Sequence, residues 1–139
     1  MTTRTFTVTV QNVGGANKYF LDGVQQPTIT LAEGGTYVFN WSAATSHPVR
    51  FSTTSDGTHG GGSEYTTGVT KDNGNYLTTI QVADSAPTLY YYCQYHSGMG
   101  GQINTESATT WGLLSWGEGV WGNQNDITVS VTGVASTTA

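Results

Sequence analysis

The chain alternates hydrophobic and polar residues in short runs, and this pattern predicts β-strands along most of its length. Near the start, Phe6, Val8 and Val10 occupy every second position, so they would share one face of a strand. Tyr37 and Phe39 continue the same alternation later, and we interpret these aromatic residues as core. Strands are predicted at residues 2–10, 18–21, 28–31, 36–41, 49–51, 65–69, 76–82, 89–92 and 126–132.

Glycine-rich and polar segments separate the predicted strands. Loops are predicted at residues 12–17 and 52–64, and residues 71–75 contain the Asn-Gly pair typical of a hairpin turn. The chain of 139 residues has 19 glycines, only 9% charged residues and no convincing 3.6-residue period. This composition favours many short strands over helices. We therefore predict an all-β Greek-key β-sandwich over residues 1–104, followed by an extension over residues 105–139.

The charge balance narrows the possible partners. Nine acidic and four basic residues give a net charge of -5 at pH 7. Neither nucleic acid nor an anionic membrane is an expected partner of such a chain. Cys93 is the only cysteine, which excludes an intramolecular disulfide. Met1 is followed by a strand-like run and not by an export signal, so we expect the protein to start in the cytoplasm where it is made.

Candidate chemistry is concentrated between residues 88 and 101, TLYYYCQYHSGMGG. Cys93, His96 and Met99 follow one another at intervals of three residues, directly after the hydrophobic run of the strand predicted at 89–92. A fourth donor, His47, stands before the strand predicted at 49–51. A thiol, two imidazoles and a thioether form a set of soft and borderline ligands that suits copper. These four residues are therefore candidate metal ligands.

This order of ligands resembles that of the cupredoxins, the type 1 (blue) copper domains, over roughly residues 17–104. The short spacing in the loop is most similar to the amicyanin branch. The resemblance implies that His47, Cys93 and His96 are the trigonal copper ligands and that Met99 is the weak axial one. Many small cupredoxins have asparagine after the first histidine, and its N–H helps to hold the thiolate. Here the residue is Pro48, which has no N–H, although multicopper oxidases carry the same His-Pro pair.

The candidate residues also have simpler interpretations. In a metal-free cluster, Cys93 would be a small buried hydrophobic residue and the histidines would be hydrogen-bonded. We interpret His59 as a solvated loop histidine and not as a ligand, because nothing nearby in the sequence orients its ring. An enzyme is the least favoured class. A type 1 site leaves no open position for a substrate, and no Ser-His-Asp or paired-carboxylate set stands out.

The extension after the cupredoxin-like part has an unusual repeat. Trp111, Trp116 and Trp121 are each followed by glycine and recur every five residues, which matches neither the helix nor the strand period. The strand predicted at 126–132 then ends the pattern. The segment is either an extra edge strand that closes the same sandwich or an arm that pairs with another subunit. Because large aromatic residues dominate interface energetics, the three tryptophans are candidate interface residues.

A second resemblance covers nearly the whole chain. The runs KYFLDGVQQPTITLAEGG, SHPVRFSTTSDGTHGGGSEYTTGV, APTLYYYCQYHSGMGGQ and LLSWGEGVWG are similar to a domain that recurs in structural proteins of marine tailed phages, cyanophages especially. The resemblance implies a virion component, such as a capsid decoration protein or a tail or fibre component, made in the host cytoplasm. Its expected partners are other virion proteins, copies of itself, or both. The alternative is a soluble blue copper protein that passes single electrons.

Overall fold

The computed structural model describes residues 3–107, and these residues form ten β-strands arranged in two sheets. The predicted all-β sandwich is therefore confirmed. The strands are β1 (Thr3–Val13), β2 (Ala16–Leu21), β3 (Val24–Gln25), β4 (Ile29–Ala32), β5 (Thr36–Asn40), β6 (Val49–Ser52), β7 (Val69–Asp72), β8 (Leu77–Gln81), β9 (Leu89–Cys93) and β10 (Gly101–Glu106).

Both sheets contain parallel and antiparallel pairs. The six-stranded sheet has the order β3-β2-β1-β5-β8-β7, and the four-stranded sheet has the order β4-β10-β9-β6. β1 runs parallel to β5, and β10 runs parallel to β4, while the remaining pairs are antiparallel. The chain changes sheet at each step from β3 to β7 and again between β8 and β9. These crossings are the Greek-key connections that tie the two layers together.

The core lies between the sheets and is rich in aromatic side chains. Phe39 of β5 is fully buried, and its ring centroid lies 4.9 Å from that of Phe6 on the neighbouring β1. Across the sandwich, the Phe39 centroid lies 5.2 Å from that of Phe51 on β6 and 6.4 Å from that of Tyr91 on β9. Such edge-on and tilted contacts are the arrangements that aromatic pairs prefer. The alternation seen in the sequence therefore sets the inward faces of both sheets.

The β1–β2 connection differs from the prediction. Residues 12–17 are not a loop, because β1 and β2 stay paired until a two-residue turn at Gly14 and Gly15. Both glycines have positive φ, of 60° and 91°, a conformation that glycine adopts without steric cost and that a tight hairpin requires. The residues next to this turn are mostly exposed and polar, so they show no hydrophobic alternation from which the strands could be predicted.

The segment between β6 and β8 also differs from the prediction. The strand predicted at residues 65–69 overlaps the observed one only at Val69: β7 runs over Val69–Asp72 and pairs with β8. It is an edge strand with half-buried and exposed side chains, so it carries no clear alternation. A 3₁₀ turn at Gly57–Gly60 lies inside the loop predicted at 52–64.

Several predictions concern the end of the chain. The predicted boundary after residue 104 falls inside β10, which continues to Glu106. Trp111, Trp116, Trp121 and the strand predicted at 126–132 lie outside the described residues. Within residues 3–107, no helix has the length and apolar character needed to cross a membrane.

Candidate metal centre

The pairing of β6 with β9 brings two candidate ligands together. These strands are antiparallel, with Val49 opposite Cys93. His47 precedes Val49 by two residues, so it lies at the end of the sheet where β9 stops. Beyond the last pair, the N–H of Gln94 donates to the carbonyl of Pro48 at 3.1 Å. Strand register alone therefore places the His47 segment beside Cys93.

Cys93 belongs to the inward face of β9. Leu89 and Tyr91 on the same strand share this face, and all three residues are at most 1% exposed. His47 is half-buried and His96 is exposed, so the cluster runs from the core of the sandwich to its surface. This gradient keeps the thiol away from bulk water and leaves one imidazole accessible.

Three of the four predicted ligands form a compact cluster. Sγ of Cys93 lies 3.6 Å from Nδ1 of His47 and 3.6 Å from Nδ1 of His96. The candidate ligand atoms of these three residues all lie within 4.8 Å of one another. The two imidazole centroids are 4.7 Å apart with an interplanar angle of 49°, and each ring turns its Nδ1 toward the Cys93 sulfur.

The size of this cluster fits a bound metal ion. Bonds of about 2.0–2.1 Å to nitrogen and about 2.3 Å to sulfur, at trigonal or tetrahedral angles, would place the sulfur about 3.5–3.8 Å from each nitrogen. The observed Sγ–Nδ1 distances of 3.6 Å match that separation. Two imidazoles and one thiolate are also the donor set of a trigonal copper site. The residues present therefore fit copper in both distance and chemistry.

Met99, the predicted axial ligand, is fully buried in the loop between β9 and β10. Together with His96 it lines a surface depression of about 370 Å³, whose other lining residues are Asn17, Tyr95 and Ser97. Tyr95 is 64% exposed at the rim. The loop thus presents the thioether on the inside and the imidazole on the outside of the same short segment.

The electrostatics of the cluster favour neutral imidazole at His47. Burial lowers the pKa of His47, and a positive charge on His96 would lower it further. Neutral imidazole is the form that offers a lone pair to a metal. His47 is therefore ready to bind a cation without first losing a proton at neutral pH.

Side chains from outside hold the ligand loop in place. The N–H of Gly98 donates to Oδ1 of Asp56 at 2.9 Å, and the carbonyl of Gly98 accepts from Nζ of Lys18 at 2.9 Å. Nε2 of Gln26 donates to the carbonyls of Gly98 and Gly100, at 3.2 Å and 3.0 Å. These bonds fix the backbone that carries His96 and Met99.

His59 has a role that the sequence interpretation missed. Its Nε2 lies 2.8 Å from the carbonyl oxygen of Cys93, and its ring meets the Tyr92 ring edge-on at a centroid distance of 6.1 Å. The expectation that nothing orients this ring was wrong, although the side chain is exposed and lies outside the ligand cluster. The contact spans 34 residues, so no local pattern could have found it.

The fold and the site define the class as an all-β sandwich with a candidate metal centre at one end of its four-stranded sheet. The sequence matches no protein-family model and no curated protein in the comparisons made.

Proposed function

We propose that this protein is a copper-binding domain of the cupredoxin type. His47, Cys93 and His96 would hold one copper ion through Nδ1, Sγ and Nδ1, and Met99 would be the weak axial ligand. The observation that carries the proposal is the pair of 3.6 Å distances from the thiol sulfur to the two imidazole nitrogens.

Copper bound in this position would supply a one-electron couple. The protein would hold the donors in a fixed arrangement and keep water from the sulfur. Cys93 is fully buried, so the core of the sandwich shields its sulfur from water. His96 is exposed, so its imidazole would connect the centre to the surface. Four protein ligands leave no position for a substrate, which supports a binding or electron-carrying role over catalysis.

Titration of the purified full chain with Cu(II) tests the metal proposal. We expect one equivalent of copper to produce an intense thiolate charge-transfer band in the visible. Cys93→Ser and His47→Ala should abolish the band. His59→Ala is the control for copper bound adventitiously by surface histidine, and it should keep the band because His59 lies outside the cluster. A parent protein without a visible band would refute the proposal.

The proposed setting of this domain is the virion of a tailed phage, as a capsid decoration protein or a tail or fibre component. Support comes from the second sequence resemblance, which covers nearly the whole chain. Trp111, Trp116 and Trp121 support it as well, because three tryptophans in a glycine-rich segment suit a permanent contact better than a transient one. Many copies on a particle would turn weak contacts into firm attachment.

The alternative is a soluble carrier of single electrons, and the compact His47–Cys93–His96 cluster favours it. Two measurements separate the functions. A particle component should be found in purified virions, and the full chain should self-associate or bind other virion proteins. Replacing Trp111, Trp116 and Trp121 by alanine should then remove this association without affecting the copper band. A strictly monomeric chain that is absent from virions would instead support the carrier.

A further inference from the structure

Tyr19 is the residue at which the two ligand-bearing segments meet. It lies on β2 in the six-stranded sheet, whereas His47 and Cys93 lie at the end of the four-stranded sheet. Its hydroxyl donates to the carbonyl of His47 at 2.5 Å, and its backbone N–H donates to the carbonyl of Met99 at 2.9 Å. One residue thus crosses the sandwich and bonds the backbone of two candidate ligands.

The hydroxyl that bonds the His47 carbonyl belongs to a buried, neutral phenol. Burial is the main cause that raises the pKa of Tyr19 strongly. Tyr19 is 0% exposed, so the phenol stays neutral and keeps its proton. The Tyr19 hydroxyl is therefore a lasting donor to the carbonyl of His47, the residue before Pro48.

We propose that Tyr19 is a positioning residue of the metal centre, which holds the His47 and Met99 backbones through two hydrogen bonds. The inference rests on the proposed copper function. The hydroxyl bond holds the backbone of the His47 segment, and the N–H bond holds the backbone at Met99. Together they would set where the His47 imidazole and the Met99 thioether lie around a bound metal.

Tyr91 provides a matched control. It is also buried, at 1% exposure, and its hydroxyl donates to the carbonyl of Pro27 at 2.7 Å. Its ring centroid lies 6.4 Å from that of Tyr19, so both occupy the same core. Tyr91 and Tyr19 therefore make the same type of bond in the same surroundings, but Pro27 is not a candidate ligand.

The experiment compares Tyr19→Phe and Tyr91→Phe in the full chain. Both variants should lower the thermal unfolding midpoint of the metal-free protein by similar amounts, because each loses one buried hydrogen bond. Only Tyr19→Phe should weaken copper binding, by about 10- to 100-fold, as is typical when a group that orients a ligand is lost. It should also shift the charge-transfer band and the reduction potential. Unchanged affinity, band and potential in Tyr19→Phe, or equal losses in Tyr91→Phe, would overturn the inference.

A measurement on the unmodified chain covers the case in which Tyr19→Phe does not fold. The Tyr19 hydroxyl proton is buried and should be visible by NMR. Its resonance should move when diamagnetic Cu(I) is added, whereas that of Tyr91 should not, and an unmoved Tyr19 resonance would refute the role. If the parent chain binds no copper at all, the proposed function fails together with this inference. If the parent binds copper and Tyr19→Phe behaves like it, only this inference fails.

Discussion

Gly100 is the position in the ligand loop where a single methyl group should do the most damage. A Cβ built on Gly100 would lie 1.6 Å from the carbonyl oxygen of Tyr91 and 2.6 Å from its carbonyl carbon. Both atoms belong to the backbone of β9, so no side-chain rotation can relieve the contact. Gly100→Ala must instead push the loop away from the strand that ends in Cys93.

The required movement gives the size of the effect. Ordinary contacts begin at 3.4 Å, so the backbone would have to open by about 1.8 Å. At this point Gly101 pairs with Tyr91, and the carbonyl of Gly100 accepts from Gln26 at 3.0 Å, so both contacts would be stretched or broken. Overpacking of about 1–3 kcal/mol and two lost hydrogen bonds of about 1 kcal/mol each give a total of about 3–5 kcal/mol. This is a large share of the stability of a small domain.

Denaturant unfolding of the metal-free chain, followed by circular dichroism, measures this loss. Gly74→Ala is the matched control, since its Cβ would meet only Oδ1 of Asp72 at 3.7 Å, and we expect a change below about 0.5 kcal/mol. Gly100→Ala protein that does fold should bind copper more weakly, because Met99 and His96 share the displaced loop. A Gly100→Ala variant whose free energy of unfolding lies within about 1 kcal/mol of the parent's would refute this reasoning. It would mean that β9 and β10 move apart at much lower cost than close packing implies.

Three further predictions follow from buried polar groups. His59→Ala removes the partner of the Cys93 carbonyl. It should lower the free energy of unfolding by about 1 kcal/mol and the copper affinity by up to about tenfold, with the visible band retained. An unchanged denaturant titration together with an unchanged copper titration would contradict this. Asn73→Ala removes the acceptor 3.0 Å from Nη2 of Arg50, which is 3% exposed, and should cost about 1–3 kcal/mol in urea unfolding. Burial raises the pKa of Tyr91 above its ordinary value of 10.0, so above about pH 10 the unfolded chain ionises while the folded one does not. Stability should therefore fall as pH rises above 10, and Tyr91→Phe should make that fall shallower.

The parts of the site that follow from local pattern were predictable. A hydrophobic run that stops at Cys93 predicts a buried strand end, and the structure ends β9 at that residue. The spacing of His96 and Met99 then predicts a short loop with donors on it. Likewise, the alternation around Val49 predicts β6 and places His47 just before it.

The groups that orient the ligands could not be predicted. The bond from Tyr19 to His47 spans 28 residues, and the bond from Gln26 to Gly98 spans 72. Both depend on how the six-stranded sheet packs on the four-stranded sheet, which no local period encodes. In the sequence, Tyr19 is one more aromatic residue in a strand, and its hydroxyl gains a role only when the two layers meet.

The geometry of the centre is set by the hydrophobic core. A slip of one residue between β6 and β9 would turn Val49 and Phe51 from the inward face to the outward face. Both residues are fully buried, and Phe51 packs against Phe39 across the sandwich, so the core permits only the register with Val49 opposite Cys93. That same register fixes the separation between the His47 segment and the thiol. The donor atoms are therefore brought together by apolar packing and strand pairing, and the centre can form before any metal binds.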